Sequence, residues 1–481
     1  MEPGYCIGVF TEPRQLRGNM KKLRAPLILL FLFSSAVVPA RAALTSTRRP
    51  DIIFILSDDQ RWDTMRYMPR TKDLLPVNYV NAFVSNPLCC PSRSTILTGL
   101  YSHDDGVWTN KSGNFGGWAA FQAWEQNGGI SIASALHSGG YRTGLFGKFL
   151  NGWDGTMANG WDEFAGMTQV SGSTGPHDPF PYYNYTLSGV HDGRSFSKFY
   201  GTDPSDYTTT VLSSKVKHYI AATSPDAPMF LYYAPNAPHS AKGSEPPIPA
   251  PRDTYASIKL PPQSPNVNEA DVSDKPRYIQ AQEQIDQHFL DHWRRQAAKS
   301  LLAVDRSVAS ILRVQDARDP GLRNTVVIFM SDNGYATGAH RWMGKSVPYE
   351  ESIRVPMRAY FPGQPAQAVT KLVNNLDIAP TIADAARVTF QTNGDGESLL
   401  SSDARSHFVI ESAGTGHSFC GVRTNDSMYV KYRTGEVEYY DLNRDPYELQ
   451  NLPNAPKVPT LYALASRQCS PLPPDWPRPT L

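Results

Sequence analysis

Two stretches far apart in the chain share one grammar. DIIFILSDDQ, residues 51–60, and TVVIFMSDNG, residues 325–334, each run through five unbroken apolar positions and then turn to Ser-Asp-Asp or Ser-Asp-Asn. A strand with no alternating polar position cannot leave one face in water, so each run is expected to be a fully buried strand of a parallel sheet covered by helices on both sides. Two further segments behave alike: YRTGLFGK ends at Lys148, and PMFLYYAPNAPH ends in a loop carrying His239. In an open α/β sheet, ligands bind beyond the carboxyl ends of the strands. Asp58, Asp59, Lys148, His239, Asp332 and Asn333 are therefore expected to converge on one site.

With 481 residues the chain can bury a large core, in one big α/β unit or in two to three domains. Hydrophobic residues at 40% and charged residues at 19% exclude a mostly disordered chain. A formal net charge of +1 gives no global field to recruit nucleic acid or anionic lipid, so an anionic substrate must be drawn by a local arrangement of cations. Ile285, Phe289, Trp293, Ala297 and Leu301, spaced by four, read as the core-facing stripe of a helix. Residues 240–276, rich in proline and polar side chains, read as a long surface excursion and a candidate rim for a substrate pocket. Beyond about residue 393 the short alternating segments of MYVKYRTGEVEYYDL predict a small antiparallel sheet. The expected division is an upstream segment and signal at 1–42, a catalytic domain at 43–393 and an antiparallel-sheet subdomain at 394–481.

The basic residues 20–24, the apolar run at 25–38 and the small-x-small Ala40-Arg41-Ala42 have the pattern of a cleaved signal peptide, with Met1 or Met20 as the initiator. The apolar run falls short of the roughly 20 residues that span a bilayer, so no stable membrane insertion is expected once the signal is cleaved. Three sequons, at Asn110, Asn184 and Asn425, fit secretory passage and are candidate glycosylation sites. In an oxidising compartment Cys420 and Cys469 are expected to form one disulfide, with two buried thiols as the alternative. Cys89 and Cys90, adjacent to each other, are left without a structural explanation.

Asp58, Asp59, Asp332 and Asn333 are hard oxygen donors, suited to Ca²⁺ or Mg²⁺ and not to a soft metal. The stretch CCPSRSTILTG supplies the rest of a pattern: Cys89, then Pro91, Ser92, Arg93, Thr98 and Gly99. It resembles the signature of the sulfatase family, in which the first cysteine is oxidised to formylglycine. The resemblance runs from RPDIIFILSDDQ to EYYDLNRDPYELQNL, and GKFLNG, YYNYTLSG and FLDHWRRQAAKSLLAVD look most like the N-acetylglucosamine-6-sulfatase and heparan endosulfatase branch with its related arylsulfatases.

The resemblance implies the alkaline-phosphatase-like α/β fold, a mostly parallel large sheet flanked by helices. It implies that Cys89 becomes formylglycine through a formylglycine-generating enzyme during maturation, and that Asp58, Asp59, Asp332, Asn333 and the modified residue 89 hold Ca²⁺, with Mg²⁺ as a second choice. The hydrate is then the nucleophile, oriented by Arg93. A plain serine or cysteine would be trapped as a stable ester, whereas a geminal diol eliminates sulfate. Lys148 and Lys345 contact the sulfate, and His239 serves the leaving alcohol. Many sulfatases carry histidine two residues after the lysine of GK; here Leu150 stands there, followed by Asn151. Asn151 is carried as substrate-binding and His340 as a second histidine, while His103 is as readily structural as catalytic.

The reading is of a secreted or lysosomal-type hydrolase of sulfate monoesters, acting on an aryl sulfate or a terminal sulfated sugar. Its rivals are a phosphoester or phosphonate hydrolase of the same superfamily and a catalytically silent glycan-binding protein. No nucleic-acid partner is expected.

Overall fold

The computed structural model describes residues 48–168, 181–241, 245–390 and 394–476. The proposed signal segment lies outside these residues, as does Ala40-Arg41-Ala42.

A ten-stranded sheet organises the chain. Its strands are β1 (Asp51–Ser57), β2 (Val77–Tyr79), β3 (Arg142–Gly147), β4 (Glu163–Thr168), β5 (Tyr185–His191), β6 (Arg194–Tyr200), β7 (Met229–Ala234), β8 (Thr325–Ser331), β9 (Met357–Tyr360) and β10 (Gln367–Val369), in the spatial order β10-β2-β9-β8-β1-β7-β3-β4-β5-β6. The central five, β8-β1-β7-β3-β4, are parallel. β9 and the outer pair β5 and β6 run antiparallel to their neighbours. All seven residues of β1 and of β8 are buried. Alternation along β1 serves two cores: Ile52, Phe54 and Leu56 face one cluster with Leu97, Phe121, Leu136 and Ile382, while Ile53 and Ile55 face another with Leu212, Val304 and Val308. The sheet is thus a middle layer, which is why β1 and β8 are apolar on both faces between their end residues.

Helix α1 (Cys89–Thr98) carries the Cys-Cys-Pro-Ser-Arg segment. All ten of its residues are buried, and it stops at Gly99, whose φ of 68° takes the left-handed cap that a Cβ disfavours. On the other face lie α2 (Thr208–Ala222) and α3 (Gln287–Arg318). α3 starts where the Asp286 carboxylate accepts from Phe289 N at 2.8 Å. This moves the expected stripe: Ile285 precedes the helix and Phe289 is only half-buried, whereas Leu290, Trp293, Leu301, Val304, Val308 and Ile311 form the buried face. The segment 240–276 is irregular but not a simple surface excursion, since Ala250, Asp253, Asn266, Glu269 and Val272 are buried. Arg306 pairs with Asp253, and Arg294 donates to Pro261 O at 2.9 Å, so α3 pins it.

Beyond α4 (Glu350–Ile353) and α5 (Ile378–Ala386), a second sheet is fully antiparallel: β11 (His407–Ser412), β12 (Phe419–Thr424), β13 (Ser427–Tyr432) and β14 (Val437–Asp441), in sequence order. α6 (Val458–Gln468) packs on it, and Cys420 on β12 is disulfide-bonded to Cys469 just after α6. Among the described residues, no helix is long and apolar enough to cross a membrane.

Candidate active site

Register brings the strand ends level. Ser57 pairs with Ser331 and Gly147 with Ala234, so the next residues of β1, β8 and β3 leave the sheet side by side and the loop after β7 arches over them. With neighbouring strands about 4.8 Å apart, four adjacent ends fall within roughly 15 Å. Gly147 has a φ of 119°, and a Cβ there would meet Ala234 O at 2.0 Å. That close approach lets Lys148 N donate to the same carbonyl at 2.9 Å and sends the Lys148 side chain inward.

Cys89, the first residue of α1, is 1% exposed. Its Sγ stands 3.7 Å from Asp58 Oδ1, 4.0 Å from Asp59 Oδ1 and 2.6 Å from Lys345 Nζ. Lys148 Nζ donates to Asp58 Oδ2 at 2.6 Å, and both side chains are wholly buried. Arg93 donates through Nε to Asp332 Oδ2 at 2.8 Å and through Nη1 to Lys148 O at 2.8 Å, leaving Nη2 3.9 Å from Asp58 Oδ2. Lys345 also pairs with Asp59. His239 Nε2 lies 3.6 Å from Asp59 Oδ2, and its Nδ1 is 2.9 Å from Ser240 O. One turn along α1, Ser92 Oγ donates to Asp332 O and accepts from Asn375 Nδ2 at 2.9 Å.

The charges of this cage sustain one another. Burial pushes the Asp58 carboxyl up, but Lys148, His239 and Arg93 outweigh it and hold it at about 2. Asp59 is lowered against burial by Lys345 and His239. Burial disfavours charge on His239, yet Asp58 and Asp59 raise it to about 10, so the ring is cationic at neutral pH in the ion-free protein. Lys148 and Lys345 are held charged against burial by Asp58 and Asp59 respectively. Burial pushes the Cys90 thiol up to about 12, and its side chain belongs to the apolar core.

The donors suit a hard divalent ion. Ligand atoms of Asp58, Asp59, Cys89 and His239 lie within 4.8 Å of one another, and Asn333 Nδ2 donates to Asp59 Oδ1 at 2.6 Å while its Oδ1 is buried without a hydrogen-bond partner. An orphaned amide oxygen beside carboxylates fits a ligand role toward Ca²⁺ or Mg²⁺.

Not every expected residue arrives here. His340 is displaced: it sits in a left-handed turn with φ 49°, its Nδ1 is 2.6 Å from Glu269 Oε2, its ring lies against Tyr349, and none of its contacts among the described residues is to Cys89 or the oxygen donors. Asn151 backs α1 through its main chain, its carbonyl accepting from Trp118 N at 2.8 Å and its N–H donating to the Cys90 sulfur, while its side-chain Oδ1 is buried without a hydrogen-bond partner. His103 Nδ1 is 2.7 Å from Glu411 Oε2, a tie to β11. Asn184 and Asn425 are exposed at turns, whereas half-buried Asn110 accepts from Cys90 N at 2.8 Å through its Oδ1. That cap on the helix bearing Cys89 was hidden in the sequence behind a sequon. Asn375, the partner of Ser92 in the signature, was likewise missed, because a bond between residues so distant in the chain leaves no local pattern.

Beside Asp59 a cleft opens between Pro238, Ser240 and Tyr335. Trp293 and Tyr335 stack along its wall with ring centroids 5.5 Å apart and planes within 11°. Arg61, Arg66 and Arg294 stand around it.

A deep cage of three carboxylates, an amide, three cations and a histidine at the carboxyl edge of a parallel sheet defines a class of α/β enzyme sites built for tetrahedral anions. The particular family follows from likeness: the sulfatase family profile matches residues 50–388, and that of the N-sulphoglucosamine sulphohydrolase C-terminal region matches residues 338–470. The chain belongs to the sulfatase family, a family of sulfuric ester hydrolases. It is 31% identical over 373 residues to the extracellular sulfatase SULF-1 homolog of Drosophila melanogaster, covering 73% of this chain and 31% of that protein. It is 30% identical over 405 residues to human N-acetylglucosamine-6-sulfatase, covering 80% of this chain and 70% of that one. The chain thus spans about a third of the length of its Drosophila relative. A solved structure of BT4656 with its substrate D-glucosamine-2-N,6-O-disulfate shares the fold, at a TM-score of 0.68 and 22% identity over 88% of this chain and 98% of that one.

Proposed function

We propose that the chain hydrolyses sulfate monoesters to an alcohol and inorganic sulfate, with Cys89 matured to formylglycine and a divalent ion, Ca²⁺ first, held by Asp58, Asp59, Asp332 and Asn333. One observation carries the reading: the Cys89 side chain is enclosed by Arg93, Lys148, Lys345 and His239 on the side of the oxygen donors, and a sequence signature for that modification begins at the same residue. Formylglycine would supply a hydrated aldehyde as nucleophile, and the bound ion would supply Lewis acidity. The chain's own residues supply the rest. Lys148 and Lys345 place two ammonium groups where a sulfate's peripheral oxygens would lie, and sulfuryl transfer spreads negative charge over those oxygens. Arg93, locked by Asp332 and Lys148 O, aims one free N–H edge toward Asp58 and steadies residue 89. His239, with Nε2 3.6 Å from Asp59 Oδ2, stands where it can pass a proton to the departing alkoxide.

The leaving group fits the cleft beside Asp59. Its stacked Trp293 and Tyr335 offer a flat wall to a sugar ring or a phenol, and its arginines favour an anionic one. This agrees with an aryl sulfate or a terminal sulfated sugar as the substrate class, and the named relatives include a glucosamine sulfatase. An extracellular relative and the Cys420–Cys469 disulfide support passage through a secretory compartment, where the maturing enzyme would meet Cys89. Residues 43–393 would then form the catalytic domain and 394–481 its C-terminal subdomain.

The test is hydrolysis of a chromogenic aryl sulfate by protein from a host that makes formylglycine, beside Cys89→Ala and Cys90→Ala, with calcium present and then chelated. Activity lost in Cys89→Ala, kept in Cys90→Ala and dependent on the ion is the expected result. Equal low rates in all three, with the aldehyde confirmed by mass spectrometry in the parent, would overturn it, and faster turnover of the matching aryl phosphate would move the chain to the phosphoester class.

A further inference from the structure

A second cluster of ligand-type side chains lies outside the Cys89 cage. His340, Glu351 and Glu448 are 0%, 6% and 0% exposed, and one ligand atom from each lies within 4.8 Å of the others. They come from three separate places: the left-handed turn at residue 340, helix α4, and the Asp-Pro-Tyr-Glu turn that follows β14.

Each is oriented by a bond on its outer side. The Glu269 carboxylate takes His340 Nδ1 at 2.6 Å, which leaves the Nε2 lone pair facing inward, its contact there being the Asn266 amide at 3.4 Å. Asn266 Nδ2 donates to Glu351 Oε1 at 2.9 Å, and Glu350 N donates to Glu448 Oε2 at 3.1 Å. The two remaining oxygens, Glu351 Oε2 and Glu448 Oε1, are buried with no hydrogen-bond partner. Neither carboxylate has an ion pair among the described residues; the nearby guanidiniums of Arg423 and Arg354 go to Glu350, at 2.8 and 3.5 Å. Buried anions are ordinarily paired or bound to metal. A carboxylate–histidine pair of this kind is the arrangement that orients an imidazole ligand.

We propose that His340, Glu351 and Glu448 form a second divalent-ion site, taking Zn²⁺ through one imidazole nitrogen and two carboxylates, separate from the oxygen-donor site at Asp58. One nitrogen and two oxygens at bond lengths of about 2.0–2.2 Å make a zinc-type set, and a hard ion such as Ca²⁺ prefers more oxygens. Binding compensates two buried acidic groups that have no ion pair among the described residues. It also fastens the turn after β14 to the loop of residues 335–349, which carries Lys345, so the ion acts on the sulfate-binding lysine by positioning its loop. The inference does not require sulfatase activity, and it stands or falls on metal content.

The site is buried, so the ion must be acquired on folding and exchange slowly. The full chain is therefore expressed with zinc supplied, dialysed into calcium buffer, and analysed for metals. About one equivalent of zinc per chain is expected in the parent, with a 10–100-fold weaker hold in Glu448→Gln, His340→Ala and the outer-side variant Glu269→Gln. A parent that holds no zinc would overturn the site and mark the cluster as carboxyls sharing a proton, and so would zinc retained equally in the variants. If the variants do not fold, X-ray absorption at the zinc edge of the parent decides: nitrogen and oxygen neighbours sustain the assignment, sulfur neighbours overturn it.

Discussion

At the scale of single residues, the site is an exercise in burying charge without stranding it. Lys148 and Asp58 are fully enclosed, and removing one partner of such a pair costs far more than the pair is worth, about 3–5 kcal/mol, because the survivor is left charged in a poor dielectric. Lys148→Met keeps the aliphatic stem and removes the charge, leaving Asp58 with the Arg93 guanidinium at 3.9 Å. Denaturant unfolding of the chelated protein should show a loss of that size, and calcium should restore part of it by compensating Asp58. Turnover of an aryl sulfate should stay down by about 10²–10³-fold with calcium present, since a missing cation at developing charge is not replaced by folding. Recovery of full turnover in calcium would show that Lys148 serves the fold alone. Asp58, Lys148 and Asp332 were legible in the sequence because each follows a run that reads as a buried strand, which marks where the chain emerges. His340 was not, because in a short loop the direction of a side chain depends on a left-handed turn and on a distant partner, Glu269, and neither leaves a local pattern.

At the scale of elements, the telling contacts join the segment after α1 to the antiparallel sheet. His103 is stitched to Glu411 on β11 by its ring and its backbone N–H. Burial opposes charge on His103, but the hydrogen bond and charge of Glu411, with Asp104, raise it to about 9. A histidine raised above its unfolded value of about 6.5 stabilises fully below that value and loses the contribution as pH climbs through the folded one. The stability gap between the parent and His103→Asn should therefore be widest near pH 6, on the order of 2 kcal/mol, and close by pH 10. Thermal unfolding at a series of pH values checks this, and a gap that widens with pH would refute the pairing. The disulfide acts on the same sheet. Cys420 and Cys469 close a loop of 49 positions, for which the chain-entropy argument gives about 4 kcal/mol, so Cys420→Ala with Cys469→Ala should unfold at distinctly lower denaturant. The four-stranded sheet was visible in the alternation of MYVKYRTGEVEYYDL, since a sheet wetted on one face writes a period of two. The stripe of α3 was misplaced at its start because spacing by four continues through Ile285, while the Asp286 cap begins the helix after it.

At the scale of the whole molecule, the oxygen donors tie together segments that are remote in sequence and adjacent in space. Asp58 and Asp59 follow β1, Asp332 and Asn333 follow β8, and the two strands pair in parallel along their full length. An ion bridging their ends would bind the folded chain and not the unfolded one, because only the paired strands hold the four donors together. It therefore stabilises by mass action, about 2.7 kcal/mol at a hundredfold excess over its dissociation constant. A chain of this size unfolds with a large entropy, near 2.1 cal/mol/K per residue, so the gain amounts to a rise of about 3 °C in Tm, small but measurable by calorimetry. Calcium added to chelated protein should produce that rise together with the return of activity. Asp332→Asn should blunt both, since it removes a donor charge and the partner that locks Arg93. A rise in Tm of the same size in the variant would place the ion elsewhere and leave the four donors as a charge network of the apoprotein. The parallel β1–β8 pairing could be anticipated from two apolar runs ending alike. The level register that makes a shared ion possible could not, because it is set by the packing of both sheet faces at once.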